Sequence, residues 1–363
     1  MAGAKLKLGV IGCGNIAGPY ARSFKVYPDV LELVAAADML PGRADAFVKE
    51  HGGRACKTID ELIADPAVNT VVNLTPFSEH YGVSKKAILA GKHVFSEKPL
   101  GVAYAEAQEI VKLAKEKGVR VACAPITFMG EAQQTAAKLI RAGKLGTVRV
   151  IYAEVNHGRI EHWHPAPELF FKAGPMYDVG VYPTALTTAF FGPVRKVSMY
   201  GKVLLGDRKN KDGKPFPVPT PDYFAGTFEL ESGVLLRLTA NFYIQSSNTR
   251  QGEGMEFHGD QGDLHMENWF GFASPLSFAE HDKKFAPVEP VRKPAYADAV
   301  EWSRVLKEMS DAIGENRPHR ASAEHAAHVV EVICAVTKSA AQGGAPVAVT
   351  SSFDPPAPMP WAV

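Results

Sequence analysis

Short apolar runs alternate with amphipathic stretches through the first 125 residues. Residues 5–11 read as a strand, and Ile16, Tyr20 and Phe24 follow at helical spacing, with Pro19 tolerated in the first turn. A second strand runs from Leu31 to Ala37 and ends at Asp38, and a helix is predicted near 42–51. Thr70 to Leu74 predicts a third strand, ending at Thr75-Pro76, and a helix near 78–90 stops at Gly91. His93 to Ser96 predicts a fourth strand, 103–117 a helix whose last turn holds cations favourably, and Val119 to Ala124 a fifth strand. These strands are nearly continuous apolar runs, as expected when both faces are buried. Strands alternating with helices predict a doubly wound parallel α/β sheet, a Rossmann domain over residues 1–125.

The pattern changes after a helix at about 131–142. Residues 147–156 alternate like a strand, and 175–191 reads as an amphipathic helix. Strand-like pieces follow at 194–205, 223–230, 234–244, 254–259 and 263–268, joined by short turns. Such a succession predicts an open antiparallel sheet in an α+β domain over 126–353, closed by helices near 296–315 and 322–341. Residues 206–222, rich in Lys, Gly and Pro, read as an exposed loop, and 354–363 as a proline-rich tail.

Two domains also suit the length of 363 residues. The formal net charge of +1 gives no electrostatic case for nucleic acid or an acidic membrane surface. The apolar runs are all too short for a membrane span. Cys13, Cys56, Cys123 and Cys334 lie far apart without a CxxC pair, so reduced thiols in a cytoplasmic protein are the expectation. The first seven residues could pass for the head of an export signal, but the apolar segment behind them breaks at Gly12 and Gly14, which a strand-turn-helix explains better.

That turn, Gly12-Cys13-Gly14-Asn15-Ile16-Ala17, has the spacing of a dinucleotide fingerprint. Gly12 permits a tight turn, Gly14 lets backbone approach a pyrophosphate, and Ala17 lets helix pack on strand. Asp38 would accept hydrogen bonds from ribose hydroxyls and repel a 2′-phosphate, favouring NAD; Arg43 keeps NADP open. Its other reading is a loop cap. Lys98, in Ser96-Glu97-Lys98-Pro99, stands at the carboxyl end of a strand, where open α/β sheets bind ligands. Asp178 and Tyr182 are four apart and share a face if helical. His157, His162 and His164 gather around Trp163, and an extended backbone would turn His162 and His164 the same way. Imidazoles and an indole suit sugar binding; surface or capping roles, or a three-histidine metal site, are the alternatives, and no metal is expected. His325 and His328, on the closing helix, could reach a cleft or pack into the core; the core is favoured.

Gly9-Val-Ile-Gly-Cys-Gly-Asn-Ile16, Thr75-Pro76 with His80, Glu97-Lys98-Pro99 and Asp178-Val-Gly-Val-Tyr182 together resemble the Gfo/Idh/MocA family of glucose–fructose oxidoreductase, inositol dehydrogenase and relatives. The resemblance runs to about residue 353. It implies hydride transfer between a nicotinamide and a carbinol carbon of a sugar, glycoside or cyclitol. Beside the fingerprint candidates Gly12, Gly14, Asn15, Ile16 and Asp38, it implies that Thr75, Pro76, His80, Glu97 and Lys98 border the cofactor. It also implies a cis peptide before Pro99 and a homo-oligomer, dimer or tetramer, joined through sheets of the second domain. Many members carry histidine at the position of Tyr182.

Oxidising a secondary alcohol removes a hydride from carbon and a proton from oxygen. An amine is a poor base near neutrality unless burial or nearby positive charge favours its neutral form. Lys98, Asp178 and Tyr182 are therefore the candidate catalytic group, with either Lys98 or Tyr182 as acid/base. The substrate-binding candidates are His157, His162, Trp163 and His164. His164 stands where relatives often have arginine, the arginine usual after the fifth strand is missing from Ala124 to Met129, and only Gly174 remains of a glycine triplet. These departures alter the pocket, so no named relative's substrate is carried over. Two rival functions stay open: a sugar enzyme without net redox, working through a transient keto-sugar, and a non-catalytic nicotinamide-binding regulator.

Overall fold

The structure is a computed structural model that describes residues 3–249, 252–296 and 299–363. The chain divides into two compact units, Met1–Ile126 with Glu301–Val330, and Thr127–Val300 with Glu331–Val363. The sequence pattern, read in order, assigns 301–330 to the second domain; in the structure these residues belong to the first unit. The cause is long-range pairing: Cys123 N donates to Ala321 O and Ala122 bridges Ser322, so the returning chain covers the edge of the first sheet.

In the first unit, β1 (Leu6–Ile11), β2 (Leu31–Ala37), β3 (Arg54–Ala55), β4 (Thr70–Asn73), β5 (His93–Ser96) and β6 (Val121–Cys123) form one sheet. Its order is β3-β2-β1-β4-β5-β6, and every pair is parallel. The helices are α1 (Ala17–Phe24), α2 (Arg43–His51), α3 (Ile59–Ala64), α4 (His80–Leu89) and α5 (Tyr104–Lys117). Leu8, Val10, Val71, Val72, Val94 and Phe95 are fully buried, as continuous apolar strands require. The strand order reverses between β1 and β4, so the chain ends of these strands flank the topological switch point. β3 and α3 are additions; two residues of strand and a single helical turn and a half leave little periodicity to read.

The second unit starts with α6 (Glu131–Arg141), β7 (Val148–Asn156), α7 (Glu168–Pro175) and α8 (Val181–Phe191). β8 (Val194–Lys202), β9 (Arg208–Lys209), β10 (Pro215–Phe216), β11 (Tyr223–Leu230) and β12 (Leu235–Asn241) follow. Then come β13 (Met255–Gly259), β14 (Gly262–Met266), β15 (Leu276–Glu280) and β16 (Ala286–Val288). A nine-stranded sheet runs β16-β15-β14-β13-β7-β12-β11-β8-β17, closed by β17 (Val347–Ala348). It is mixed: β7 and β12 pair in parallel and the other neighbours are antiparallel. Alternation leaves one face in the core (Ile151, Ala153, Leu236, Leu238, Phe257, Leu264). On the other, the Arg237 guanidinium lies 3.8 Å over Tyr152 and bonds Glu154 at 2.6 Å.

Residues 206–222 are not an exposed loop. They hold the β9–β10 hairpin, and Arg208 and Asp222 are buried. Nor is 175–191 one continuous helix. Gly174 (φ 79°, ψ 162°) breaks the path within the last turn of α7, a π-helical turn spans Met176–Gly180, and α8 begins only at Val181. The proline-rich tail packs on α6: Gln134 Oε1 accepts from Met359 N at 2.9 Å, and Lys138 and Arg141 donate to the carbonyls of Val363 and Ala362.

α9 (Arg304–Gly314) and α10 (Ala323–Ala341) close the chain. Residues 297–298 of the stretch read as helix 296–315, and residues 1–2 of the signal-like head, lie outside the described residues. His325 and His328 of α10 are buried, in accord with a core role. Burial, with a smaller push from His328, lowers His325 from 6.5 to about 3. A histidine neutral in the fold and free to protonate when unfolded gives stability that is complete above the unfolded pKa and is lost as pH falls. Stability should therefore fall between 6.5 and about 3, His325 alone contributing about 1.4 kcal/mol per pH unit. Denaturant titrations of wild type and His325→Gln at several pH values check this: the substitution should flatten the acid limb.

Candidate active site

The glycine turn leaves the carboxyl end of β1. Gly12 N donates to Ala37 O at 2.9 Å, tying the turn to β2. Gly12 has φ 93°, and a Cβ there would stand 2.6 Å from the Leu74 carbonyl oxygen at the end of β4. Only glycine fits that closure between the two switch-point strands. Gly14 is the reverse: a Cβ would meet nothing within 4 Å, so its backbone lies open to an approaching group. Asn15 is exposed, Ile16 precedes α1, and Ala17 N bonds Gly14 O. A cradle with one closed and one open glycine before a helix fits a dinucleotide pyrophosphate.

Asp38 follows β2. Its Oδ2 accepts from Cys13 N at 2.7 Å and its Oδ1 from Leu40 N at 2.8 Å. The loop-capping role is therefore real, and it aims the carboxylate at the turn. Two ionised oxygens have about four acceptor sites, so two remain for ribose hydroxyls. Burial and then Asp38 push the Cys13 thiol up to about 12, while Arg43 pulls it down. Both charges thus act on the same turn.

The end of β4 is organised by Asn73, a residue the sequence pattern did not single out. Its Oδ1 accepts from Thr75 Oγ1 at 2.6 Å, and its Nδ2 donates to Ser84 Oγ and His80 O. Thr75 is half-buried and Pro76 exposed. His80 is buried, with Nδ1 2.7 Å from Pro99 O and Nε2 2.8 Å from Thr75 O. Burial, the largest influence, favours the neutral ring. The neutral ring donates to one of the two carbonyls and the protonated ring to both. Either way His80 staples the Thr75 loop to the Lys98-Pro99 loop, whose peptide is cis as the resemblance implied.

Glu97 is fixed from two sides. Tyr20 Oη donates to its Oε1 at 2.6 Å, and Lys98 N donates to Oε2 at 3.1 Å. Tyr20 itself packs on Phe95 and Trp302, 5.4 and 5.3 Å between ring centres. Burial raises the neighbouring Cys123 thiol well above its ordinary value, with Glu97 adding to it, which keeps that thiol protonated. Lys98 is half-buried at the carboxyl end of β5. Its backbone is thus held by a carboxylate and a proline.

The second unit holds the other candidates. Asp178 lies in the π-helical turn, half-buried, and Tyr182 in α8, buried. A π-helical turn therefore takes the place of the regular α-helix expected between them. Tyr182 is stacked on Trp269 (5.2 Å, 28°) and edge-on to Phe270 (5.3 Å). Trp269 Nε1 donates to Glu154 O, and Asn268 Oδ1 accepts from Phe270 N and Gly271 N. These residues, unmarked in the sequence, fix the phenol's plane.

The histidine segment divides. Ile160–His162 forms a 3-10 turn rather than extended chain, so His162 and His164 do not pair on one side. His162 is exposed. His157, Trp163, His164 and Phe170 form a chain of edge contacts, 6.0, 5.5 and 4.6 Å between successive rings. His157 Nδ1 lies 3.1 Å from Glu253. Trp163 remains 48% exposed, an aromatic face open to a ligand. Among the described residues no group of three or more His, Cys, Asp or Glu side chains could hold a metal ion.

Beneath that segment Arg208 is fully buried. It donates to Glu161 at 2.6 Å, to Asp222 at 2.5 Å and to the carbonyls of Leu205 and Phe242, and its guanidinium lies 4.4 Å over Phe171. Burial acts to raise the Glu161 carboxyl, but its own backbone N–H, Arg159 and Arg208 outweigh that and hold it low. No sequence signal separates this arginine from the exposed ones around it.

Residues 6–124 match the oxidoreductase family with an NAD-binding Rossmann fold, and 133–265 match the GFO/IDH/MocA C-terminal domain. A trans-1,2-dihydrobenzene-1,2-diol dehydrogenase from Bos taurus is 29% identical over 201 residues, 54% of this chain and 60% of that protein. A dTDP-3,4-didehydro-2,6-dideoxy-alpha-D-glucose 3-reductase from Streptomyces violaceoruber is 30% identical over 221 residues, 56% and 63% of the two chains. The matches thus span less than two thirds of those relatives. An NAD-binding oxidoreductase from Klebsiella pneumoniae has the same fold, with TM-score 0.83 and 23% identity over 96% of this chain and all of that one. So has a levoglucosan dehydrogenase solved with NADH and levoglucosan, with TM-score 0.81 and 19% identity over 95% and 99% of the chains. No described helix is long and apolar enough to cross a membrane. With both of its domain families matched and the glycine cradle, Asp38 and the Glu97-Lys98-Pro99 loop in place, the chain belongs to the Gfo/Idh/MocA oxidoreductases.

Proposed function

We propose that this protein is an NAD(P)-dependent dehydrogenase acting on a ring carbinol of a sugar, glycoside or cyclitol. The observation that carries the reading is the anchoring of Lys98, its backbone N–H on Glu97 and its loop stapled by His80, at a strand end next to the glycine cradle. The relatives' names support the substrate class: a ring diol, a dTDP-linked deoxyglucose and levoglucosan.

A bound nicotinamide supplies the hydride acceptor or donor. Gly12, Gly14, Asn15 and Ile16 hold its pyrophosphate side, Asp38 the ribose, and Thr75, Pro76 and the His80-stapled loops border the rest. Lys98 Nζ holds the substrate oxygen and, with Asp178 and Tyr182, takes its proton on oxidation and returns it on reduction. Tyr182, locked by Trp269 and Phe270, offers a phenol in a fixed direction. Trp163 offers an apolar face to a sugar ring, with His157, His162 and His164 as hydrogen-bonding neighbours. The protein works as a homo-oligomer in the cytoplasm.

NAD is the preferred cofactor in this reading because the Asp38 carboxylate, bonded to Cys13 N in the glycine turn, would repel a 2′-phosphate. Asp38→Ser should lower the ratio of kcat/KM for NAD over NADP at least about tenfold, the loss of one or more hydrogen bonds to a charged group. Arg43 is then free to meet the phosphate. Steady-state kinetics with both cofactors tests this, and an unchanged ratio would leave Asp38 as a loop cap alone. The reading as a whole is tested by screening nicotinamide reduction across glycosides, free sugars and cyclitols; no reduction with any of them would count against it.

A further inference from the structure

The first unit carries a cleft that the dehydrogenase reading does not use. It has a volume of about 460 Å³ and lies at the amino end of β6, between the end of α5 and the start of α10, within the usual range for small-molecule sites, roughly 300–1,000 Å³. Lys98 lies beyond the carboxyl end of β5, a strand of four residues spanning roughly 13 Å. Val111, Ala114, Val119 and Pro318 give the cleft an apolar wall.

Its polar lining holds two cations, Lys115 and Arg120, with His319, Ser322 and the single carboxylate of Glu324. Glu324 is already paired with Lys115 at 3.1 Å. Arg120 is half-buried, yet its guanidinium has no hydrogen bond or ion pair among the described residues. Only its backbone is used, its N–H donating to His93 Nδ1 at 2.9 Å and its carbonyl accepting from Val94 N. Five donors in a planar fork at the wall of a cleft match a carboxylate or phosphate. His319 reaches the Val121 carbonyl through Nε2 at 2.9 Å, so its Nδ1 would donate to an anion only by taking up a proton as the anion binds. Burial and then Arg120 favour neutral His93; burial favours neutral His319 as well, opposed by its bond to the Val121 carbonyl and by Glu308, with Arg120 a smaller push toward the neutral ring.

We propose that this cleft binds a small organic anion, a phosphate monoester or a carboxylate, through the Arg120 guanidinium with Lys115 and His319. The anion neutralises Arg120, and its carbon body lies against Val119 and Pro318. The site is independent of the nucleotide cradle.

The test is titration calorimetry with glucose 6-phosphate, gluconate and neutral glucose, each with and without saturating NAD. One charged probe should bind with Kd below about 1 mM, glucose at least tenfold more weakly, and NAD should leave the binding in place. Which charged probe binds tells phosphate ester from carboxylate. Arg120→Gln, which keeps both backbone bonds, should weaken the anion at least about tenfold, the worth of a charge-assisted pair. Lys115→Glu, at an exposed position, should do the same should the first variant fold poorly. Equal binding of glucose, loss of binding with NAD, unchanged affinity in a folded variant, or no binding of either anion would each overturn the proposal. None of these outcomes depends on turnover, so the dehydrogenase reading stands or falls separately.

Discussion

Lys98→Met lowers kcat by roughly 10²–10⁴-fold, the usual contribution of a positioned acid/base group, while NAD still binds. The expectation rests on how little else the substitution touches. The Lys98 backbone is fixed by Glu97 Oε2, Glu97 by Tyr20, and the following loop by His80 on the Pro99 carbonyl. Methionine keeps most of the stem and removes the ammonium. The cradle of Gly12 and Gly14 and the Asp38 carboxylate lie on other loops. Turnover and equilibrium NAD binding, measured on the same preparation, check both halves. Full activity in the variant would remove Lys98 from the chemistry; loss of NAD binding would make it a cofactor ligand first.

Arg208→Met destabilises the second unit by roughly 3–5 kcal/mol, the cost of stripping one partner from a buried ionic cluster. Glu161 and Asp222 are both buried; Glu161 would keep Arg159 and Asp222 the bond from Leu204 N, but both would lose their shared buried counter-ion beside Phe171 and Phe242. Neutralising both carboxylates as well, in Arg208→Met/Glu161→Gln/Asp222→Asn, should recover part of the loss, since the penalty lies in the unpaired charges more than in the absent guanidinium. Chemical denaturation of the three proteins measures this. The cluster also anchors the turn that carries His162 and Trp163, so a variant that still folds should show a raised KM for the carbohydrate with less change in kcat. Wild-type stability in Arg208→Met would mean that the turn is held by its aromatic contacts alone.

The first unit was legible because its strands are buried on both faces and its ligand turn is local. Six residues after β1 carry the whole glycine cradle, and one proline marks the Lys98 loop. The second unit was less so. Arg208 sits in a Lys- and Gly-rich stretch whose composition is that of a surface loop; only its partners, 47 and 14 residues away, make it a core residue. The helix expected over 175–191 failed at its start, where Gly174 takes a conformation that no periodicity reports. Asn73, Tyr20 and Trp269 act by orienting Thr75, Glu97 and Tyr182, and such supporting contacts join segments far apart in the chain. The return of 301–330 to the first sheet is of the same kind: amphipathic helices do not state which core they cover.

The most direct measurement is the absorbance of reduced nicotinamide when stoichiometric enzyme and NAD are mixed with a panel of glycosides, sugars and cyclitols. Reduction by at least one carbohydrate, present in wild type and lost in Lys98→Met, is the predicted result. NAD binding without reduction by any member of the panel, or reduction at equal rate in Lys98→Met, would contradict a dehydrogenase built around Lys98.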